Sequence, residues 1–265
     1  MKKSLRLTET AIMIALGFIL SMLKIIDMPF GGSVTVFSML PVIVIAYRYK
    51  ASWGLLAGFA ASLLQMLMGL KNLTYATSAA AVIAIIMLDY IVAFGVMGLG
   101  GIFKGKIKDQ GVALAAGAVT ACGLRYICHV ISGCTVWAGV SIPTSDGLLY
   151  SLVYNCAYMV PETLITVVGA YYAGKVFTLG SEQIKRVPLD TRSAKNLVSS
   201  IPAVLSVVID FVLIFAMVQT EEGFDITAIS RAHMFDWLPV IISLVVGIAA
   251  TVVIKNVAFK DKKTV

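Results

Sequence analysis

Eight long apolar stretches restrict what this chain can fold into. They lie near residues 7–26, 36–47, 53–70, 76–103, 110–137, 148–175, 199–219 and 236–255. An α-helix needs about 20 apolar residues to cross the hydrocarbon core of a bilayer, and the second stretch is short of that length. Only 13% of the residues are charged, against roughly 25% in soluble domains. The sequence therefore predicts an all-α integral membrane protein.

Basic residues indicate which loops face the cytoplasm. Lys and Arg precede the first span and follow every even-numbered span, at 2–6, 48–50, 104–108, 175–195 and 255–263. Cytoplasmic loops carry an excess of these residues, so we predict a multi-pass protein of the cell membrane with both termini in the cytoplasm. The formal net charge of +7 is then explained by the membrane surface, and no nucleic-acid partner is expected.

A polar, basic segment divides the chain. We predict a six-helix substrate-binding membrane core at 1–178, a basic cytoplasmic linker at 179–198, and a two-helix C-terminal appendix at 199–265. Sequence symmetry gives no support for an inverted-repeat transporter. Asp210 lies near the middle of the seventh span without an assigned role, and Ser206 is a conceivable partner for it.

The sequence contains no motif that predicts catalysis or nucleotide binding. Cys122, Cys128 and Cys134 are six residues apart, which scatters them by about 120° around a helix, so buried thiols are favoured over a metal site. Residues 98–106 are rich in glycine but lack the phosphate-binding spacing. We predict no enzyme, no cofactor and no bound metal, and any ATP would be bound by another subunit.

Polar side chains within three spans are the main functional signal, because charged groups inside a membrane usually mark a substrate path. The fourth span carries Asp89 in an otherwise apolar run. On the fifth span, Arg125 and His129 share one helical face, and Trp137 stands at its outer end. The sixth span has a polar and aromatic arc of about 140°, made of Tyr150, Ser151, Tyr154, Asn155, Tyr158 and Glu162.

The predicted depths of these residues divide the candidate site into two layers. From a rise of about 1.5 Å per residue, His129 and Tyr158 lie about 9–14 Å below the outer boundary. Asp89, Arg125 and Glu162 lie deeper, at about 18–20 Å, and form a possible ionic floor with one surplus negative charge. Such a pocket suits a flat aromatic cation, since each aromatic face stabilises a cation by about 0.5–2 kcal/mol.

Structural explanations stay open for several of these residues. Arg125 with Glu162 and Asp89 can form a purely structural ion cluster. His129 can serve as a hydrogen-bonding residue between helices. Tyr75 lies near the end of a span, where aromatic residues commonly form the belt at the membrane surface.

Residues 5–178 resemble the substrate-binding (S) component of an energy-coupling factor vitamin transporter, and most closely the thiamine-specific type. The sequence RYICH at 125–129, followed by Trp137, Tyr150, Tyr154–Asn155 and Tyr158, is similar in type and spacing to that family's ligand-binding signature. LDY at 88–90 resembles the acid–tyrosine pair of its fourth helix. AIMIA at 11–15 resembles the alanine motif through which such subunits dock on a transmembrane coupling subunit.

The resemblance implies the ligand, the partners and the site residues. Asp89 would face the positive and amino groups of thiamine or a thiamine-like ring, and Trp137 would stack on the ring. The hydrogen-bonding and stacking residues would be Tyr90, His129, Tyr150, Tyr154, Asn155 and Tyr158. Ala11 and Ala15 would contact the coupling subunit, and two ATPase subunits would drive uptake.

This sequence departs from the thiamine-specific pattern in three places. The family typically has a glutamate where Asp89 stands, and it has aromatic residues near Gly31–Gly32 and Ala61. A thiamine fragment or a related ring is therefore an alternative ligand. A second functional class also stays open: in a proton-coupled secondary transporter of a small organic cation, Asp89, His129 and Glu162 would form a proton relay.

Overall fold

The computed structural model describes residues 3–28, 31–137, 147–220, 223–225 and 228–258. The chain divides into two compact units, Met1–Val187 and Pro188–Val265. The first contains α1 (Lys3–Ser21), α2 (Leu40–Tyr49), α3 (Ala51–Met68), α4 (Ala79–Gly101), α5 (Gln110–Thr135) and α6 (Gly147–Val176). The second contains α7 (Thr191–Met217) and α8 (Met234–Val257). The basic residues predicted beyond residue 258 lie outside the described residues.

Seven of these helices are long and apolar enough to cross a membrane, which confirms the predicted all-α membrane class. The exception is α2, whose 10 residues span about 15 Å, roughly half of the hydrocarbon core. Every residue from Pro41 to Tyr49 is buried. The second predicted span is therefore a short helix enclosed by its neighbours, too short to cross by itself.

The first helix ends five residues earlier than predicted. It ends at Ser21, and Lys24–Asp27 forms strand β1, which pairs antiparallel with β2 at Ser33–Thr35. Ile26 lies opposite Val34, and both are buried. β-Branched residues favour a strand when one face can be covered, so the apolar run that continues the first span forms a hairpin instead.

The fourth span is not one regular helix. A π-helical segment at Ile86–Val92 interrupts it, and its last six residues, Val96–Gly101, form a 3-10 helix. Close helix packing accompanies this irregular backbone: a Cβ on Gly98 would lie 2.2 Å from the carbonyl carbon of Gly54 on α3. Asp89 and Tyr90 lie in the π-helical segment, a feature that is often found at functional sites.

The core of the first unit lies between α2, α4, α5 and α6. Its fully buried side chains include Ile43, Met97, Leu114 and Cys122. A partly buried ion pair links α1 to α2, because Arg48 Nη2 donates to Glu9 Oε1 at 2.9 Å. This packing places the polar faces of α4, α5 and α6 toward one another.

In the second unit, α7 begins at Thr191, eight residues before the predicted start of the appendix. Asp190 caps the helix there, because its carboxylate accepts from the Ser193 N–H at 2.9 Å. The predicted linker therefore ends earlier, and the functional division of the chain stays a prediction. Asp210 is 5% exposed, and neither carboxylate oxygen has a hydrogen-bond partner among the described residues. Ser206 donates to the Ala203 carbonyl at 2.9 Å, so it is not the partner of Asp210.

Asp109 caps α5, and its removal should measurably weaken the fold. Its carboxylate accepts from the Lys175 ammonium and from the Val112 N–H, and these contacts hold the pKa of Asp109 below its usual value. We expect Asp109→Ala to lower the free energy of unfolding by about 1 kcal/mol, as for other lost caps. The measurement is thermal unfolding of the detergent-solubilised protein.

Asp109→Asn is the matched control, since it keeps a capping oxygen and loses only the charge; a smaller effect is expected. A depressed folded-state pKa stabilises the fold above the unfolded pKa of about 3.9, and this contribution is lost as pH falls through the folded-state value. The difference between wild type and Asp109→Asn should therefore shrink on acidification. A difference that grows would contradict the role of the ion pair.

Candidate functional site

A cavity of about 530 Å³ lies in the first unit, within the range of small-molecule sites. The β1–β2 hairpin, the 3-10 turn Leu70–Tyr75, and the helices α4, α5 and α6 supply its walls. Most of the predicted site residues line it: Asp89, Tyr90, Arg125, His129, Trp137, Tyr154, Asn155, Tyr158 and Glu162. Tyr150 is buried but does not line the cavity, so its contact with a ligand stays a prediction.

Asp89 is held by three hydrogen-bond donors from α5 and the chain just after it. Its carboxylate accepts from Ser132 Oγ at 2.7 Å and from Trp137 Nε1 at 3.0 Å, and His129 Nδ1 lies 3.0 Å from Oδ1. Within the described residues, no lysine or arginine pairs with it. The carboxylate is thus oriented without being neutralised by a cation.

The predicted separation of a shallow layer from a deep layer is wrong for Asp89, because its carboxylate is hydrogen-bonded to Trp137 and lies 3.0 Å from His129 Nδ1. Helix α5 ends at Thr135, and the Trp137 N–H turns back toward the Ser132 carbonyl at 3.3 Å. The indole therefore returns to the last turn of α5. A depth computed from an ideal straight helix does not include this turn.

Arg125 and Glu162 form a buried ion pair at the cavity wall, and Asp89 is not part of it. Arg125 Nη1 lies 3.1 Å from Glu162 Oε2, and their side chains are 9% and 2% exposed. Glu162 also accepts from the hydroxyls of Thr35 and Ser38, the latter at 3.3 Å. The pair joins α5 to α6 and to strand β2.

His129 connects this ion pair to Asp89. Arg125 Nε donates to His129 Nε2 at 3.3 Å. Because a guanidinium cannot accept a hydrogen bond, Nε2 is the unprotonated nitrogen, and Nδ1 carries the proton that is donated to Asp89. This hydrogen-bond pattern assigns a neutral imidazole. Arg125 then balances Glu162, and Asp89 keeps one uncompensated negative charge beside the cavity.

Aromatic rings cover the walls around this charge. The Tyr75 and Trp137 ring centroids are 6.0 Å apart, and those of Tyr154 and Tyr158 are 5.9 Å apart. Tyr75 also lines the cavity, and its place in the aromatic belt of the membrane surface stays a prediction. An anionic group among aromatic faces has the chemistry to bind a flat organic cation.

Comparison with known proteins now decides the family. Residues 7–176 match the family described as Thiamine transporter protein (Thia_YuaJ). The chain belongs to this family. Thiamine transporter ThiT of Bacillus subtilis (strain 168) is 33% identical over 175 residues, which are 62% of this chain and 87% of that protein. A solved structure of ThiT from Listeria monocytogenes covers 66% of this chain and 96% of its own, with 23% identity and a TM-score of 0.54, and shows the shared fold.

Membership of the thiamine transporter family confirms the resemblance drawn from the sequence. The match ends at residue 176, so α7 and α8 lie beyond the part that the family describes. Ala11 and Ala15 are exposed on α1 of this family member. Their contact with a coupling subunit stays a prediction.

The absence of an aromatic residue at Gly31–Gly32 in this transporter has a steric cause. A Cβ on Gly32 would lie 2.9 Å from Tyr158 Cδ1. Gly31 has a φ of 105°, and a Cβ there would lie 2.3 Å from Asn72 Nδ2. Side chains from α6 and the 3-10 turn thus fill the space that a larger residue in the hairpin would need.

Two of the predicted contact residues also hold neighbouring elements in place. The Tyr90 hydroxyl donates to the Gly69 carbonyl at 3.1 Å and accepts from Asn72 Nδ2 at 3.0 Å. Asn155 Nδ2 donates to the His129 carbonyl of α5 at 3.3 Å, while its Oδ1 accepts from the Tyr158 hydroxyl within α6 at 2.6 Å. The sequence interpretation missed Asn72, although its place beside Tyr75 in a short polar loop was a usable signal.

Loss of one partner of the buried ion pair should destabilise the protein more than replacement of both partners. Arg125→Met leaves Glu162 buried beside hydroxyl donors alone, and we expect the free energy of unfolding to fall by about 3–5 kcal/mol. In the double variant Arg125→Met/Glu162→Gln, no charge is left unpaired, so part of that loss should be recovered. Thermal unfolding in detergent measures both, and a double variant less stable than Arg125→Met would contradict this account.

Proposed function

We propose that this protein binds thiamine at the membrane and serves its uptake into the cell. The observation that carries the proposal is the negative charge of Asp89, which no lysine or arginine among the described residues balances, beside a cavity with aromatic walls. Support comes from membership of the thiamine transporter family and from the relatives, which are themselves named thiamine transporters.

Thiamine matches the site in charge and in shape. Its thiazolium ring carries a permanent positive charge that Asp89 can balance, and its aminopyrimidine ring offers hydrogen-bond donors and acceptors. The rings of Trp137 and Tyr75 present faces for stacking, and each aromatic contact with a cation contributes about 0.5–2 kcal/mol. Binding alone accounts for these features, and the proposal includes no catalytic step.

Uptake is proposed to be ATP-driven, with a transmembrane coupling subunit and two ATPase subunits as partners. The sequence has no nucleotide-binding motif, so ATP hydrolysis requires another chain. The exposed small residues Ala11 and Ala15 on α1 would allow the close helix approach that docking on the coupling subunit needs.

The proposed topology places both termini in the cytoplasm. Lys3 and Arg6 near the N-terminus, Lys50 after α2 and Lys104 after α4 line one groove at the same end of the first unit. Basic residues from three separate segments are thus gathered on one side, as the excess of positive charge in cytoplasmic loops would require.

A proton-coupled secondary transporter is less well supported. Its relay would run from Asp89 through His129 to Glu162, but Arg125 stands between His129 and Glu162. An arginine does not release its proton in proteins, so it interrupts the relay. Uptake that survives loss of the partner ATPases and stops when the proton gradient collapses would favour this alternative.

Thiamine titrated into the purified protein in a calorimeter tests the binding site. We expect Asp89→Asn to weaken binding by about 30-fold or more, since truncating one partner of a buried charge pair costs about 2–5 kcal/mol. Asp89→Ala should abolish binding, because it also removes the acceptor oxygens. The isolated aminopyrimidine ring, which lacks the thiazolium charge, should bind wild type more weakly than thiamine does.

Asp27→Asn is the matched control. Asp27 also lines the cavity, but its carboxylate is exposed and pairs with Lys24 Nζ at 2.9 Å. Loss of this charge should change thiamine affinity by no more than about threefold, as expected of an exposed pair. Equal losses in Asp27→Asn and Asp89→Asn would show that only the overall charge matters, and absence of binding by the wild type would refute the ligand.

A further inference from the structure

A second cavity, of about 600 Å³, lies at the other end of α1 from the candidate thiamine site. It is a groove formed by the start of α1, the junction of α2 with α3, and the segment after α4. Its lining consists of Lys3, Arg6, Arg48, Tyr49, Lys50, Ser52, Trp53, Leu56 and Lys104. Five of these residues are cationic and none is acidic, and we call this the basic groove.

Most of the positive charge in the basic groove is not balanced. Arg48 is neutralised by Glu9, whose carboxylate it contacts through Nη2 at 2.9 Å and Nε at 2.5 Å. Lys3, Arg6, Lys50 and Lys104 form no ion pair with an acid among the described residues. The groove therefore carries a surplus of four positive charges.

Two of these cations, Lys104 and Arg6, are in unfavourable surroundings. Burial, together with the nearby charges of Arg48 and Lys50, lowers the pKa of Lys104 below its usual value. The Arg6 guanidinium lies 3.8 Å from the Trp53 ring centroid, and its Nε is buried without a hydrogen-bond partner in the described part of the chain. A bound anion would relieve the repulsion among these cations.

The N-terminus of α3 adds hydrogen-bond donors to the groove. Lys50 precedes this helix and provides no side-chain cap, so the N-cap side chain satisfies none of the first backbone N–H groups. Ser52 and Trp53, in the first turn, line the groove. Unsatisfied N–H groups at the start of a helix favour an anion, here beside four cations from other segments.

An apolar strip continues from the groove along α3. Leu56 lines the groove and is 60% exposed, and Phe59 and Leu63 follow at 49% and 39% exposure. Residues at i, i+3 and i+7 share one face of a helix, so this strip can lie against acyl chains. A soluble anion would use the charges alone, whereas a lipid uses both the charges and the strip.

We propose that the basic groove binds the phosphate of an anionic phospholipid, with an acyl chain along Leu56, Phe59 and Leu63. In the proposed topology the lipid belongs to the cytoplasmic leaflet, where anionic headgroups attract basic segments of membrane proteins. The site would anchor the end of the first unit that lies away from the thiamine cavity. The lipid proposal does not depend on thiamine being the ligand of the first cavity.

The test compares lipids retained by the full-length protein. Wild type and Arg6→Gln/Lys104→Gln are reconstituted in equimolar phosphatidylglycerol and phosphatidylcholine, extracted in mild detergent, and analysed by native mass spectrometry. We expect wild type to retain phosphatidylglycerol preferentially. The double variant should lose that preference by about 30-fold, the effect of two basic residues near a lipid surface.

Lys185→Gln/Arg186→Gln is the matched control, since it removes two exposed basic residues of the same unit that do not line the groove. This variant should retain the wild-type preference. Unchanged thiamine binding by Arg6→Gln/Lys104→Gln would show that the variant is folded, so a failure of the lipid site is distinguishable from a failure of the proposed function.

Four results would overturn the proposal. Wild type could retain both lipids equally, or the control variant could lose the preference as fully as the groove variant. Inorganic phosphate could displace phosphatidylglycerol as effectively as added lipid does, which would make the groove a site for a soluble anion. If wild type shows no lipid preference and the groove variant no longer binds the coupling subunit, the basic groove is a protein contact.

Discussion

Three hydrogen bonds hold the Asp89 carboxylate without cancelling its charge, and the chemistry of the site depends on this arrangement. A lysine or arginine in the same place would orient the carboxylate equally well but would neutralise it. The donors here are an alcohol, an indole and a neutral imidazole. The acid is therefore fixed in position while its charge stays available to a ligand.

The neutrality of His129 depends in turn on contacts farther from the cavity. Arg125 occupies the acceptor nitrogen of His129, and Glu162 holds Arg125. Glu162 is held by the hydroxyls of Thr35 and Ser38, from the hairpin and the segment before α2. The charge of the site thus rests on the packing of a short hairpin against α6, and the glycines of that hairpin allow the close approach.

The sequence predicted much of the helical organisation because hydropathy over about 20 residues is a property of local composition. Seven spans and the polar faces of α5 and α6 were recognisable in this way. Features that depend on neighbours were not recognisable. The sequence showed that the second span is short but not that α2 is buried from Pro41 to Tyr49, nor that the residues after Ser21 pair as a strand, nor that α4 contains a π-helical segment. Each exception depends on a surface contributed by another part of the chain.

For the candidate site, residue types and helical faces were sufficient to select Asp89, His129, Asn155 and Glu162, and the family was recognisable from their spacing. The sequence by itself determined that acid, base and aromatic groups lie within the membrane-spanning helices. Only the tertiary structure decided which acid is neutralised: Arg125 pairs with Glu162, and the turn after α5 returns Trp137 to Asp89. Spacing along one helix defines a face, whereas pairing between helices depends on where each helix ends and how closely its neighbours approach.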